Sequence, residues 1–289
     1  MTENATPVTT AAATHTADAA ADAAAGAAHP FGGAAAFEAR GLRTGYGDRP
    51  VLDALDLVLP AGEVTSIVGA NACGKSTLLR SLAGLLPSGG EIHVAGRPLA
   101  AYARRELART VAFLPQSPIP PEGVSVDELV LRGRFPHRGL GLRPSAEDRE
   151  QVQWAMHATD TAQLAGRPLA TLSGGQRQRA WIAMALAQDT PIVLLDEPTT
   201  YLDLAHQLDL LTLLRRLNRE SGRTIVMVLH DLNQAARFSD RIVGVKDGVV
   251  HASGTPGEVV DAAFVQAVLG VNAIVVPDPV TGTPMAVPR

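Results

Sequence analysis

A glycine-rich segment that follows an apolar run constrains this chain more than any other feature. It spans residues 69–76, reads G-A-N-A-C-G-K-S and fits the phosphate-binding pattern G-x-x-x-x-G-K-[ST]. The apolar run Val64–Val68 precedes it, and the leucine-rich residues 76–83 that follow predict a helix. In a strand–loop–helix unit of this kind, backbone N–H groups and the helix N-terminus hold nucleotide phosphates. The segment therefore predicts an α/β fold that binds a nucleotide.

Side chains of this loop have separate predicted tasks. We expect Lys75 to reach the β- and γ-phosphates of the nucleotide, and the Ser76 hydroxyl to bind Mg²⁺. Backbone groups of the loop and of the first helical turn complete the predicted nucleotide site, which comprises Gly69, Ala70, Asn71, Ala72, Cys73, Gly74, Lys75, Ser76 and Thr77.

An acidic pair follows a second apolar run. Residues Ile192–Leu195 predict a buried parallel strand, and Asp196 at its carboxyl end is placed to hold Mg²⁺ directly or through water. A carboxylate beside that metal can accept a proton from the attacking water or orient it, so Glu197 is the candidate catalytic base.

A third motif, L-S-G-G-Q at residues 172–176, opens a helix-like stretch. The start of such a helix offers free N–H groups and a hydroxyl to an anion. The three motifs together predict a phosphate-handling protein that is more specialised than a general NTPase.

With these motifs in this order, the chain resembles the ATP-binding cassette (ABC) family from about Phe37 to Pro256. The resemblance implies a RecA-like P-loop NTPase core with a small antiparallel β-subdomain and an inserted α-helical subdomain. It also implies a head-to-tail homodimer, in which each ATP lies between the P-loop of one chain and the signature sequence of the other. The matching signature residues are Ser173, Gly174, Gly175 and Gln176.

Four further positions match functional residues of that family. Tyr46 corresponds to the aromatic residue that stacks on adenine, and Gln116 to the glutamine that senses Mg²⁺ and the permease. Asp203 matches the D-loop, which communicates across the dimer, and His230 matches the switch histidine that contacts the γ-phosphate. The implied catalytic residues are Lys75, Gln116, Glu197 and His230, and the implied Mg²⁺ ligands are Ser76, Gln116 and Asp196.

Alternating patterns along the chain predict its domain organisation. Residues 1–36 are alanine-rich with few large apolar side chains, so we expect a disordered extension in which His15 and His29 are solvated. The ABC ATPase domain is predicted over 37–270, with its core at about 37–116 and 189–255 and the helical subdomain at about 117–188. Residues 262–269 predict a short helix, and the tail 271–289 has no assigned structure.

Two residues of the P-loop raise questions about activity. Ala72 stands where the family usually has glycine; if the position requires a positive φ, its Cβ costs roughly 1 kcal/mol. We therefore expect ATP binding to survive this substitution, and turnover is the property that it puts at risk. Cys73 is interpreted first as a small lining residue and second as a thiol whose modification would block ATP.

Two segments resemble the ATPase subunits of importers for ferric siderophores, haem and cobalamin. They are the arginine-rich residues Arg132–Arg138, beside the groove for the permease, and residues 198–207 after the catalytic glutamate. The alternative for the first segment is a solvated basic loop. The resemblance implies ATP-driven uptake, with an iron-siderophore as the chosen cargo, through a separate integral-membrane permease fed by an extracytoplasmic binding protein. A soluble ABC ATPase outside transport and a regulatory ATP-binding module with little turnover remain as alternatives.

Composition limits the other function classes. The net charge of −4 gives no electrostatic reason to expect nucleic-acid binding, and the apolar runs are too short to span a membrane. One cysteine excludes an intramolecular disulfide and fits a reducing cytosol. Any membrane role must therefore be peripheral, and the permease that the resemblance implies places the protein at the cytoplasmic face of the cell membrane.

Overall fold

The computed structural model describes residues 34–47, 49–116, 118–119, 122–138 and 143–289. Most of the predicted extension, including His15 and His29, lies outside these ranges. The strands are β1 Phe37–Tyr46, β2 Arg49–Leu59, β3 Val64–Val68, β4 Gly89–Val94, β5 Arg97–Pro98, β6 Val111–Leu114, β7 Ile192–Asp196, β8 Thr224–Val228, β9 Arg241–Lys246, β10 Val249–Gly254, β11 Ala273–Pro277 and β12 Pro284–Pro288. The α-helices are α1 Lys75–Leu82, α2 Arg104–Thr110, α3 Val126–Arg132, α4 Ala146–Ala158, α5 Gly174–Ala187, α6 Leu204–Ser221, α7 Leu232–Phe238, α8 Pro256–Val259 and α9 Ala262–Phe264.

A central sheet with the order β10-β9-β3-β8-β7-β6 organises the molecule. Its strands from β9 to β6 run parallel, and β10 pairs antiparallel to β9 at one edge. Strands β3, β7 and β8 are buried along their whole length, as expected for a parallel sheet covered on both faces. The carboxyl ends of the parallel strands consequently lie along one edge of the sheet.

Alternate residues of these strands face two different cores. Ile192 and Leu194 pack with helix α1 and with the sheet β2-β1-β4-β5, whose strand pairs are antiparallel. Val193 and Leu195 pack on the opposite side, among apolar residues of α3 to α7. The predicted RecA-like core, antiparallel β-subdomain and helical insertion are confirmed.

Helices α3, α4 and α5 form the insertion between β6 and β7. Serine caps fix where α4 and α5 begin: the Ser145 and Ser173 hydroxyls accept from the backbone N–H of Asp148 and Gln176, respectively. In each case the later side chain accepts in return from the backbone of the serine, which completes a capping box. Because α5 starts at Gly174, the signature motif forms the N-terminus of the central helix of the insertion.

Arg134, in the arginine-rich segment, is buried rather than solvated. Its guanidinium donates to Asp148 Oδ1 at 3.0 Å, to the Ala187 carbonyl at 3.0 Å and to Glu147 Oε1 at 3.3 Å. The interpretation of this segment as a solvated basic loop is wrong for Arg134, because its planar fork of donors matches acceptors from two helices.

The C-terminal tail, unassigned from sequence, forms the hairpin β11–β12. Residues 265–269 first extend α9 as a π-helical turn, whose Val268 carbonyl accepts from the Ala70 N–H of the P-loop at 3.2 Å. The hairpin then packs on α7, where the Asn233 amide donates to and accepts from the Ala286 backbone. Sequence patterning missed the hairpin because its strands are short and flanked by proline.

We predict that Arg134→Ala lowers the free energy of unfolding by about 3–5 kcal/mol, because it leaves the buried Asp148 carboxylate without its partner. Urea denaturation would measure the loss. Arg132→Ala, at the exposed neighbouring arginine, is the control and should change stability by less than about 0.5 kcal/mol. Equal stability of the two variants would contradict the structural role of Arg134.

Candidate functional site

The P-loop connects β3 to α1 and wraps closely against neighbouring backbone. A Cβ atom at Gly69 would lie 2.3 Å from the Val245 carbonyl oxygen, and one at Gly74 would lie 2.7 Å from the Leu52 side chain. Gly74 also has a φ of +106°, which L side chains rarely adopt. Both glycines are therefore required by the shape of the loop.

Lys75 folds its side chain back over this loop. Its Nζ donates to the carbonyls of Gly69 and Ala70, each at 2.8 Å. The lysine is only 5% exposed, so its charge is held near the loop and directed toward the space that the loop encloses. A cation in this position can neutralise phosphate charge.

Ala72 has a φ of +62°. The sequence left open whether this position needs a left-handed conformation, and the structure shows that it does. A Cβ in that region costs roughly 1–2 kcal/mol, so the loop carries strain that a glycine would not.

Asp196 ends strand β7 and is fully buried. Its Oδ1 accepts from the Ser76 hydroxyl at 2.8 Å, which joins the second motif to the first. Its Oδ2 is buried and has no hydrogen-bond partner among the described residues. Burial raises the pKa of the Asp196 carboxyl, against the lowering effect of the Ser76 hydrogen bond. An unpartnered buried carboxylate oxygen beside a hydroxyl suits a hard cation such as Mg²⁺.

Glu197 brings two distant segments together through its carboxylate, and a residue of its own loop also binds it. Gln116 Nε2, after β6, lies 2.5 Å from Oε2, and His230 Nε2, beyond the end of β8, lies 2.7 Å from Oε1. The Thr200 hydroxyl also donates to Oε2, at 3.2 Å. Glu197 is 7% exposed and has a φ of +53°, so its position is held by these contacts rather than by backbone preference.

A cavity of about 340 Å³ lies over the loop, and most of the predicted site residues line it. Tyr46 closes one side; its side chain is half exposed and its hydroxyl accepts from Arg80 at 3.1 Å. The cavity is lined by Tyr46, Val51, Asn71, Ala72, Gly74, Lys75, Ser76, Thr77, Gln116 and Glu197. Asp196 and His230 adjoin it through their bonds to Ser76 and Glu197.

Several predicted residues lie elsewhere. The Cys73 side chain is buried and packs with the core, and it lines a neighbouring pocket with Ala70, Asn71 and Ala72 instead of the cavity that contains Lys75. Gly69 and Ala70 contribute through the carbonyls that hold Lys75. The signature residues do not line this cavity, and Asp203 caps α6 by accepting from the His206 N–H at 2.9 Å.

Sequence reasoning missed Thr200 and Arg80 as partners of site residues. Thr200 follows Glu197 by a single turn, and Arg80 lies on α1 one turn beyond Ser76. Spacing from the motifs could have indicated both, but only the structure shows which hydrogen bonds they make.

The class of P-loop ATPase is defined by three features: a P-loop at the carboxyl end of a parallel strand, an Asp–Glu pair at the end of another strand with one strand between them, and an inserted helical subdomain. The family model described as "ABC transporter" matches residues 52–200. The chain belongs to the ABC transporter family.

Curated relatives cover nearly the whole chain. It is 48% identical over 248 residues to the ferric enterobactin transport ATP-binding protein FepC of Escherichia coli, covering 86% of this chain and 92% of that protein. It is 48% identical over 245 residues to the iron(3+)-hydroxamate import ATP-binding protein FhuC of Bacillus subtilis, covering 84% and 91%. The hemin import ATP-binding protein HmuV of Streptomyces coelicolor is 44% identical over 252 residues, covering 87% and 89%. With these relatives, the chain is an ATP-hydrolysing subunit of the importer type.

Solved structures agree with this family. An ABC transporter assigned to the metal-chelate type, in an inward-facing conformation, superposes with a TM-score of 0.75 at 28% identity, covering 88% of this chain and 97% of that one. A dimeric ATP-binding cassette in a post-hydrolysis state, bound to ADP and Pi, gives a TM-score of 0.68 at 30% identity, covering 76% and 98%. Among the described residues, no helix is long and apolar enough to cross a membrane.

We predict that Ala72→Gly stabilises the protein. Relief of roughly 1–2 kcal/mol at φ +62° exceeds the entropic cost of about 0.4–1 kcal/mol that glycine adds through the unfolded chain. The gain should appear as a higher melting temperature or, if the strain increases on nucleotide binding, as tighter ATP binding. Melting curves and ATP titrations of both forms would check this; a lower melting temperature with unchanged affinity would contradict the strain argument.

Proposed function

We propose that this chain energises uptake of an iron-siderophore through a separate membrane permease. The observation that carries the proposal is the position of the Glu197 carboxylate, which Gln116 and His230 hold beside the P-loop. Ser76 of the P-loop motif donates to Asp196, the residue before Glu197. Relatives named for enterobactin, achromobactin, petrobactin and hydroxamate transport support a siderophore over haem as the cargo.

In the proposed reaction, each side chain acts at a separate point on ATP and water. Lys75 neutralises the β- and γ-phosphates, and Tyr46 packs against adenine. Glu197 orients the attacking water and accepts its proton, and His230 donates to the γ-phosphate. Gln116 and His230 both contact Glu197 in this structure. When ATP and water bind, Gln116 and His230 must therefore leave Glu197 and contact the substrate instead.

Mg²⁺ fits the residues beside this site. Ser76, Asp196 and Gln116 would hold it, and the buried Oδ2 of Asp196 lacks any other partner among the described residues. When bound, the ion would neutralise charge on the β- and γ-phosphates.

A head-to-tail homodimer would complete the site. The signature residues lie outside the cavity of their own chain, at the N-terminus of the 14-residue helix α5, where backbone N–H groups favour an anion. Ser173 and Gly174 are exposed, as is Asp203 in the adjacent D-loop, so all three are accessible to a second copy. These features support a site in which Ser173 to Gln176 of one chain contact the ATP bound by the other.

The permease would dock in a groove along β6, the strand that leads to Gln116. This groove, of about 550 Å³, lies between α1, α2, β6 and the end of α5, and its lining includes Leu85, Leu107 and Phe113. The Gln188 side chain at its base donates to carbonyls of α2 and β6, and the Gln188 carbonyl contacts the His137 ring at 2.7 Å. The arginine-rich segment is therefore next to the groove, which supports a role for both in receiving the permease at the cytoplasmic face of the membrane. An extracytoplasmic binding protein would deliver the cargo to that permease.

We predict that Glu197→Gln retains ATP binding but loses most turnover, because the amide keeps the shape of the side chain and cannot act as a base. It should then accumulate an ATP-bound dimer, measurable by size-exclusion chromatography with ATP against ADP. Lys75→Ala is the matched control, since it removes the phosphate contact and should prevent accumulation of the dimer. Wild-type turnover in Glu197→Gln would overturn the catalytic assignment.

We also predict that Leu85→Asp weakens stimulation of ATPase activity by the permease. Leu85 is 59% exposed on the rim of the groove, so a charge there would oppose an apolar contact without disturbing the core. Val58→Asp, at a residue 54% exposed on the antiparallel sheet, is the control and should leave stimulation unchanged. The measurement compares reconstituted complexes in vesicles; equal stimulation of both variants would contradict the groove as the docking site.

A further inference from the structure

We propose that Gln207 and Gln234 form a positioning device, here called the glutamine bridge, which couples the D-loop to the switch histidine. Gln234 Nε2 donates to Gln207 Oε1 at 2.8 Å. Gln207 Nε2 in turn donates to the carbonyls of Thr199 and Leu202, at 3.3 and 3.1 Å. Both side chains are half-buried, and the bridge joins α7 to the loop that follows Glu197.

Only one orientation of the two side-chain amides satisfies the hydrogen bonds of the bridge. Carbonyl oxygens only accept hydrogen bonds, so the Gln207 amide nitrogen must face Thr199 and Leu202. Gln207 Oε1 is then left as an acceptor, and position 234 must supply the donor. An amide or an ammonium group meets this requirement, whereas a carboxylate would oppose the oxygen of Gln207.

At one end, the bridge holds a strained segment of backbone. Tyr201 has a φ of +68°, a conformation that costs a bulky residue of order 1–3 kcal/mol and persists only where its surroundings hold it. The two carbonyls that accept from Gln207 lie on either side of Tyr201 along the chain. Loss of the Gln207 bonds would therefore free this loop to relax.

At its other end, the bridge reaches the histidine at the site. Gln234 lies in the first turn of α7, where its backbone N–H donates to the capping Asp231 Oδ1 at 3.0 Å. Asp231 follows His230, whose Nε2 lies 2.7 Å from Glu197 Oε1. The loop that leads to the D-loop residue Asp203 starts just after Glu197, so the contacts form a closed ring from Glu197 through the bridge to His230 and back.

This inference rests on the proposed function, in which Asp203 meets the second copy and His230 meets the γ-phosphate. A D-loop that moves on dimer closure would move the carbonyls that Gln207 holds, and the bridge would pass that movement to the start of α7. Neither glutamine lines the nucleotide cavity. The bridge should therefore affect kcat and leave the KM for ATP nearly unchanged.

The test compares Gln234→Glu with Gln234→Lys in the full-length chain, by steady-state ATPase kinetics. We expect Gln234→Glu to lower kcat about ten-fold, the rate equivalent of one lost hydrogen bond, with KM within about two-fold of wild type. Gln234→Lys should restore the donor and keep kcat within about two-fold of wild type. Equal kcat for the Glu and Lys variants would overturn the proposal, as would a loss of kcat accompanied by an equal rise in KM.

Further variants distinguish positioning from stability. Asn233→Ala removes an amide from the same turn of α7, but that amide bonds to Ala286 of the hairpin instead of the D-loop. It should lower the melting temperature and leave kcat within about two-fold of wild type; a kcat loss as large as that of Gln234→Glu would overturn the proposal. Should Gln234→Glu fail to fold, Gln207→Met breaks the bridge from the other side with similar volume, and unchanged kcat there would overturn it.

A double variant gives the last comparison. If the two glutamines act only through each other, Gln207→Met combined with Gln234→Glu should lower kcat no further than the more damaging single change. If the double variant loses kcat by the product of the two single losses, the glutamines act separately, and this result would overturn the bridge. Hydrolysis by the wild-type chain in the same assay checks the proposed function independently, so equal rates in all variants would overturn the bridge alone.

Discussion

The nucleotide site depends on the arrangement of loops at one edge of the central sheet. The P-loop, the Asp196–Glu197 pair, Gln116 and His230 each follow a different strand of the parallel set β3, β7, β6 and β8. Parallel strands end at the same edge, so groups far apart in sequence converge there without any dedicated scaffold. The Glu197 carboxylate is where they meet, since it contacts segments 81 residues earlier and 33 residues later in the chain.

This convergence stores backbone strain at the site. Ala72, Glu197 and Tyr201 all have positive φ angles, each unfavourable for a residue with a Cβ atom. Hydrogen bonds from Gln116, Thr200 and Gln207 hold two of these segments in place. A site maintained by exchangeable hydrogen bonds can rearrange when ATP or a second subunit supplies better partners, which is the behaviour expected of an ATPase that drives transport.

A feature could be predicted from the sequence when the residues that determine it lie close together along the chain. The P-loop, the strand ending at Asp196 and the serine start of α5 are encoded within a few residues, and the structure has them where they were expected. Other features depend on partners distant in sequence: the burial of Arg134 against Asp148, the inward side chain of Cys73 and the docking of the hairpin on Asn233. Local patterns contain no information on which distant group will satisfy a polar atom, so these features emerged only from the fold.

The central claim is that this chain contains half of each ATP site and that a second copy supplies the rest. Cross-linking between two differently marked chains tests it most directly, in a Cys73→Ser background that removes the only cysteine and a Glu197→Gln background that slows turnover. One chain would also contain Asn71→Cys in the P-loop, and the other Ser173→Cys in the signature. With ATP and a short bismaleimide, the account predicts a covalent dimer with one copy of each chain, measured by mass spectrometry. Absence of that heterodimer under conditions where ATP is bound, or an internal cross-link in a chain that contains both cysteines, would contradict it.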